Sequence, residues 1–484
     1  MRIGMSGEKV AMRTIVTIVM LGSAGVILPF SLDWRSPVLS AMRAEALAIL
    51  LGLSAVVVIA SVSVLRASHR GDKIPRIVAA LALLLSIMST AAVIGQELRF
   101  HYVRYRVLHA DPAELKTVGR HLVVGWHENK EIRRLIELRG VAGLYVSARN
   151  VRGRSADDIR AEIDAFQAIR RAQGMRPLWI ATDQEGGIVS RVSPPLKPQP
   201  PLSHVTKRDL ISRELLEPIA DYAEKQAKGL ASLGINLNLA PVVDVNHGVR
   251  NPEDRFTRIH SRAISDDPAV VTQAAEVYCK VLERYGVRCT LKHFPGLGRV
   301  VEDTHVNEAA LTTPVSELSE TDWVPFRTLM KATRAFTMLK HVRLSEIDPD
   351  LPTSVSRNVI HDLIRKKWQY DGVLITDNVT MYGLYRSRTG MEQSCIMALN
   401  AGVDLILISW DPDQYYRIAD TLLKAIRNGR LNRNALERSS RRLGHAMKSI
   451  LEHRGSNEVS GPGNGRYCCN MSRPHYFRPE DSYY

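Results

Sequence analysis

Cysteine is scarce in this chain: five in 484 residues, at Cys279, Cys289, Cys395, Cys468 and Cys469. That is too few for a disulfide-dense scaffold, and no two are spaced as C-x-x-C, so a structural zinc site is not indicated. The adjacent Cys468 and Cys469 are poor partners for each other. Aromatic residues are thin as well, at 6%. Collagen periods, heptads and internal repeats are all missing, which sets aside fibrous and solenoid architectures. A charged fraction of 24% beside 45% hydrophobic residues excludes a wholly disordered chain. The length allows two to four domains of roughly 100–200 residues each.

Negative charge is under-represented, and 65 Lys and Arg against 50 Asp and Glu leave a net charge of +15. Residues 1–110 hold 12 basic against 5 acidic residues, so about half of the excess falls in the first quarter. A basic protein invites a nucleic-acid reading. Here the basic residues flank apolar runs instead, which points to a membrane and not to nucleic acid. Thr14 to Leu32, Ala46 to Leu65 and Val78 to Gly95 carry no charge. Each approaches the ~20 residues needed to cross a hydrocarbon core. A cleaved signal peptide is the alternative for the first run alone.

Lys and Arg counts orient these runs. Arg2, Lys9 and Arg13 precede the first, and Arg66, Arg70, Lys73 and Arg76 lie between the second and third, against only Arg35 and Arg43 in the intervening loop. Positive residues favour the cytoplasm, so the third run is expected to exit outward and everything after about residue 97 to be extracytoplasmic, periplasmic or at the cell surface. Arg99, Arg104 and Arg106 follow that exit and run against the rule.

Residues 111–453 have a different texture. Short β-rich apolar runs at His121–Gly125, Ala142–Ser147, Leu178–Thr182, Ile235–Leu239, Arg288–Lys292, Phe336–Leu339, Gly372–Thr376 and Val403–Ile408 alternate with amphipathic helical patterns. Eight β–α units are the number that closes a barrel, so a (β/α)8 TIM barrel preceded by about three transmembrane helices is expected, with a doubly wound open sheet as the competing arrangement. Residues 454–484 are rich in Gly, Ser, Pro and Arg without an apolar period and read as a flexible tail.

Reactive side chains of such a barrel emerge at the C-terminal ends of its strands. Five expected strand ends carry ionisable residues: Asp183 and Glu185 after the third, Asp244 after the fourth, Lys292-His293 at the fifth, Lys340-His341 at the sixth and Asp377 at the seventh. Each alone has an ordinary reading, since an Asp at a strand end is more often the N-cap of the next helix. Convergence on one face of a barrel is what favours a site.

These segments also resemble a known family. Thr182-Asp183-Gln184-Glu185-Gly186-Gly187 with Arg191, Asn238 to Val245, Lys292-His293-Phe294-Pro295-Gly296, Asp303-Thr304-His305, Ile375-Thr376-Asp377-Asn378 and Ala398 to Asp404 occur in the order of glycoside hydrolase family 3. The Asp-Thr-His spacing is similar to that of its β-N-acetylglucosaminidases. The resemblance implies a covalent mechanism with Asp377 as nucleophile and His305, oriented by Asp303, as acid/base. It implies sugar contacts from Asp183, Arg191, Arg262, Lys292 and His293, and requires no metal or organic cofactor. If the loop is extended, Asp303 and His305 point the same way and the carboxylate can hold the imidazole. Leu297, Arg299, Ile188 and Asn378 depart from the family pattern around the site. A β-glucosidase or phosphorylase of the family is a further reading. The glucosidase branch carries its acid/base on a second domain, for which this chain has no room. The competing class is a membrane-tethered barrel that binds glycan without cleaving it.

Overall fold

A computed structural model describes residues 4–68, 73–206 and 213–459; Arg2, Arg70 and residues 460–484, with Cys468 and Cys469, lie outside the described residues, whereas residues 454–459 of the expected tail are helical. Three long helices open the chain: α1 (Gly4–Leu32), α2 (Arg43–Ala67) and α3 (Lys73–Leu108). Each contains a stretch long and apolar enough to cross a membrane. They pack through small residues, with Ala24, Ser54, Ser61, Ala82 and Ser86 buried between them, while Ile15, Val19, Ile59, Ile77 and Leu84 face outward. Met20, Ile27, Leu50, Val57 and Val93 are buried there too; small residues in the seam with large apolar side chains outside are how helices pack where lipid is the solvent.

Eight strands follow: β1 (Leu122–Val124), β2 (Gly143–Tyr145), β3 (Trp179–Thr182), β4 (Leu237–Asn238), β5 (Thr290–Phe294), β6 (Phe336–Leu339), β7 (Leu374–Asn378) and β8 (Leu405–Ile408). Parallel pairing runs β4-β3-β2-β1-β8-β7-β6-β5. Parallel bridges Leu237–Arg288 and Val242–Lys292 then join β4 to β5 and close the barrel. The open-sheet alternative is thereby excluded. Alternation along each strand divides the core. Val123, Trp179, Ala181, Ile375, Leu405 and Leu407 fill the interior. Their neighbours Leu122, Val124, Ile180, Leu374, Ile406 and Ile408 pack outward against the helices, as the two-residue period of a strand requires.

The end away from the site is sealed. Helix Arg433–Val459 sends Leu443, Met447 and Ile450 into the interior cluster. Its Arg442 pairs with the buried Asp404 at 2.8 Å. Cys279, near the end of helix Pro268–Arg284, is disulfide-bonded to Cys289, just before β5, with Cα atoms 5.5 Å apart.

Candidate active site

Asp377 stands at the C-terminal end of β7. Its Oδ2 lies 2.5 Å from Nζ of Lys340, which follows β6 and is 1% exposed. Its Oδ1 accepts the Asn378 N–H at 2.7 Å. The following short helix, Tyr382–Tyr385, begins from Met381, so Asp377 is not its cap. Burial opposes charge on Asp377, but Lys340 with His293 and His341 holds its carboxyl well below the usual carboxylate range. It is an ionised carboxylate at the barrel mouth.

His305 sits in the loop after β5, and its Nδ1 lies 3.1 Å from Asp303 Oδ1 and 3.2 Å from Thr257 Oγ1. The segment is not extended, as the sequence reading assumed. Val306 and Asn307 both donate to the Asp303 carbonyl, and His305 N–H donates to Asp303 Oδ1, so the two side chains meet through an Asp-initiated turn. Asp303 also accepts from the N–H groups of Arg255 and Phe256 and from the Thr257 hydroxyl. Its backbone and hydroxyl partners are all donors. Although burial penalises its charge, the His305 ring and these N–H groups hold Asp303 far below its ordinary pKa. Burial pushes the His305 pKa below its ordinary value, Asp303 opposes that shift, and both Lys340 and Asp377 act on the ring. The backbone joins the two loops as well, since Tyr382 N–H donates to the His305 carbonyl at 3.2 Å.

A polar floor lies between these groups and β3. Lys292 Nζ is 2.7 Å from Asp183 and 2.5 Å from Glu185. Tyr145, on β2, donates to the other Asp183 oxygen at 2.7 Å. Arg262 forks both Glu185 oxygens at 2.9 and 2.7 Å and donates to the Thr257 carbonyl. Burial disfavours the Lys292 ammonium, but Asp183 and Glu185 reverse that and keep it charged. His293 Nδ1 is 2.7 Å from the fully buried Asp244, and its Nε2 is 3.3 Å from Arg262. Arg191 stays at the rim, where Tyr145 and Asp183 act on it. Asp183 and Arg191 are the more open members, and Arg262, Lys292 and His293 lie beneath them. Among the described residues, no three His, Cys, Asp or Glu side chains cluster as metal ligands.

The glycosyl hydrolase family 3 N-terminal domain matches residues 109–446, most of the chain. The chain belongs to glycoside hydrolase family 3. It is therefore an O-glycosyl hydrolase by family. It is 31% identical over 315 residues to a β-hexosaminidase of Xanthomonas oryzae, covering 65% of this chain and 88% of that protein. A β-hexosaminidase of Xylella fastidiosa is 33% identical, with 62% and 89% covered. Among solved structures, a family 3 β-N-acetylglucosaminidase from a Paenibacillus superposes with TM-score 0.62 at 26% identity, over 73% of this chain and 64% of that one. A β-N-acetylhexosaminidase from Beutenbergia cavernae gives 0.59 at 26%, over 72% of this chain and all of that one.

Within this family 3 barrel, three of the four departures find local partners, and Ile188 is exposed. Leu297 is buried in the core, and its N–H donates to Asp244. Arg299 turns to Asp322 and Glu317. Asn378 accepts the Ser409 N–H and bonds to Thr380, bracing the β7 loop against β8. The site contains five residues outside the expected catalytic and sugar-contact sets: Glu185, Asp244, Lys340, Tyr145 and Thr257. The first three were visible as ionisable groups at strand ends. Tyr145 lies in an apolar strand and Thr257 in a long loop, and neither carries a sequence signal.

Proposed function

We propose that this chain is a membrane-anchored, retaining, exo-acting β-N-acetylhexosaminidase. It removes terminal β-linked GlcNAc from glycans outside the cytoplasm, peptidoglycan fragments among them. Asp377 attacks the anomeric carbon while protonated His305 gives a proton to the departing oxygen. Nδ1 is engaged by Asp303, which leaves Nε2 as the donating atom. Neutral His305 then takes a proton from water as that water displaces the carboxylate. Asp303 orients the imidazole and stabilises its cation. Asp183, Arg191, Lys292 and His293, with Arg262 behind them, line the sugar pocket.

The observation that carries this reading is the Asp303–His305 contact, on a ring that also feels Asp377. The hexosaminidase names of the relatives agree with it. The Cys279–Cys289 disulfide supports an oxidising compartment for the barrel, as does the basic flanking of the helices.

Digestion and mass spectrometry after incubation with a slow-turnover activated aryl β-GlcNAc are expected to find a covalent N-acetylhexosamine on the peptide containing Asp377. Asp377→Ala is expected to lose both label and turnover. Label on another residue overturns the assignment of the nucleophile. A wild-type chain inert toward every aryl glycoside leaves the tethered, non-hydrolytic barrel.

A further inference from the structure

The side of the barrel that meets the helices is defined by a ladder of contacts along helix Gln414–Arg427. In a (β/α)8 barrel the helix after β8 starts at the mouth and runs toward the sealed end. Arg35, in the link between α1 and α2, pairs with Asp413 at 2.8 Å, just before that helix. Phe100 of α3 stacks edge-on to Tyr416 at 5.9 Å. Arg106 reaches Asp420 at 3.1 Å, and Glu114 reaches Arg427 at 2.7 Å. The end of α3 therefore descends from mouth to base. Its apolar part, before Glu97, projects the other way, beyond the mouth. Glu97 pairs with Arg35 at 2.5 Å, and Gln96 donates to the Ser31 carbonyl, so the outer ends of α1 and α3 are level there. Arg43, at the start of α2, pairs with Asp411 and Asp413 in the loop after β8.

A second observation is independent of that ladder. Among the described residues from 111 to 450, the large hydrophobic side chains left exposed are Ile188, Phe256, Val301, Val306, Tyr382 and Trp410. All six lie on loops that follow β3, β4, β5, β7 or β8, on the face that bears Asp377. Their exposures run from 44% for Tyr382 to 59% for Trp410. Among the same residues, the opposite end and the sides carry none. An apolar rim continuous with membrane-length helices fits the headgroup and upper acyl region of a bilayer.

We propose that the barrel mouth faces the bilayer of its own helices and that the substrate is a glycan borne on a membrane lipid, an amphiphile whose terminal β-HexNAc is only a short distance from its anchor. This rests on the glycosidase and membrane readings above. The lipid surface supplies the sugar to a site opening onto it, and the rim seats the loops in the interface.

The test reconstitutes the full chain in phosphatidylglycerol–phosphatidylethanolamine vesicles. A β-GlcNAc glycan joined by a short spacer to a dialkyl anchor is compared with the same glycan on a soluble methyl aglycone. The anchored glycan is expected to react with at least ~10-fold higher kcat/KM. Ile188→Glu with Val301→Glu is expected to remove that advantage while keeping the soluble rate. Resistance of the short-spacer lipid while the soluble glycan is cleaved overturns the proposal, and so do equal rates. Orientation is read without turnover, from a nitroxide at Val301→Cys or, as control, at Lys331→Cys, in the last turn of the helix Trp323–Ala332 that leads into the base of β6, each with Cys468 and Cys469 replaced by serine. The 301 label is expected to be relaxed by oxygen more than by a nickel chelate, and the 331 label the reverse. A water-exposed 301 label overturns the proposal. A lipid-exposed 301 label in a chain that cleaves neither substrate upholds the orientation and removes the glycosidase reading and the lipid-borne substrate with it.

Discussion

Replacing Asp303 with Asn tests the acid/base assignment most sharply, because the two side chains have nearly the same shape. Both carboxylate oxygens face donors: Oδ2 accepts the Arg255 and Phe256 N–H groups, and Oδ1 accepts the His305 N–H and lies against His305 Nδ1 and the Thr257 hydroxyl. An amide has one acceptor end, so in either orientation its NH2 confronts donors. Hydrogen bonds to a charged group contribute about 1.5–3 kcal/mol and neutral ones about 0.5–1.5, so the loop is expected to lose roughly 2–3 kcal/mol of anchoring. The chemical effect is larger. Asp303 raises the His305 pKa against burial, so Asp303→Asn lowers it further, and the protonated form needed as acid survives only at lower pH. The limb on which kcat/KM falls with rising pH therefore moves toward acid. General acid catalysis supplies about 10²–10⁴-fold, and kcat/KM on a poor alkoxide leaving group is expected to fall by that order. A dinitrophenyl glycoside needs little protonation and is expected to lose less than about 10-fold in kcat/KM. Its kcat falls more, because His305 must still activate water in the second step. The assay is a pH–rate profile on both substrates, with thermal melting as a control for the loop. Equal losses on the two leaving groups with an unmoved alkaline limb refute the reasoning.

Lys340→Met is expected to move the acid limb of kcat/KM to higher pH, because Asp377 loses the cation that most opposes its burial; an unmoved limb in the pH profile contradicts that account. The same change is expected to lower stability by somewhat less than the ~3–5 kcal/mol typical of breaking a fully buried pair, since the Asp377 side chain is 15% exposed, and denaturant titration measures it. Replacing Cys279 and Cys289 together by serine is expected to cost roughly 2–3 kcal/mol, the loop-closure value for a cross-link across ten residues. An unchanged melting temperature, or a free thiol found at either position in protein purified from membranes, counts against the bond.

The eight strands were legible to within about two residues at each end, because short apolar runs bounded by polar helices leave few alternatives. Three barrel helices of nine residues or more fall outside the amphipathic patterns of the sequence, for definite reasons. Asn129–Glu137 is mostly charged, Gly390–Ala401 is buried on nearly all faces and so lacks an amphipathic period, and Arg433–Val459 is polar apart from the residues that plug the barrel. In the site, ionisable groups at strand ends marked the right face from the sequence alone. What stayed hidden depends on distance between loops. Thr257 touches Asp303 and His305 across some 46 positions of sequence, and nothing local to it announces that. The disulfide was hidden for the same reason: only the return of a strand beside its preceding helix brings Cys279 to Cys289.

The arginines after the third apolar run were the weak point of the charge argument for orientation, and their contacts change its weight. Arg104 lies 3.3 Å from Glu131, and Arg106 pairs with Asp420. Both belong to the seam between α3 and the barrel. Arg35 and Arg43, the two basic residues of the outer link, are likewise matched by Glu97, Asp411 and Asp413. These four arginines therefore have a structural reason to stand where they do, whichever side of the membrane they occupy. The basic residues before the first apolar run and between the second and third still outnumber those between the first and second and after the third, by seven to five. The count of Lys and Arg near the helix ends thus keeps its direction, and two of its three exceptions, Arg104 and Arg106, have a cause in the fold, which supports the proposal that the barrel lies outside. The same seam makes the outer link structural: it holds the mouth at the level where the helices end, so the orientation of the active site toward the bilayer follows from the ion pairs that account for those exceptions.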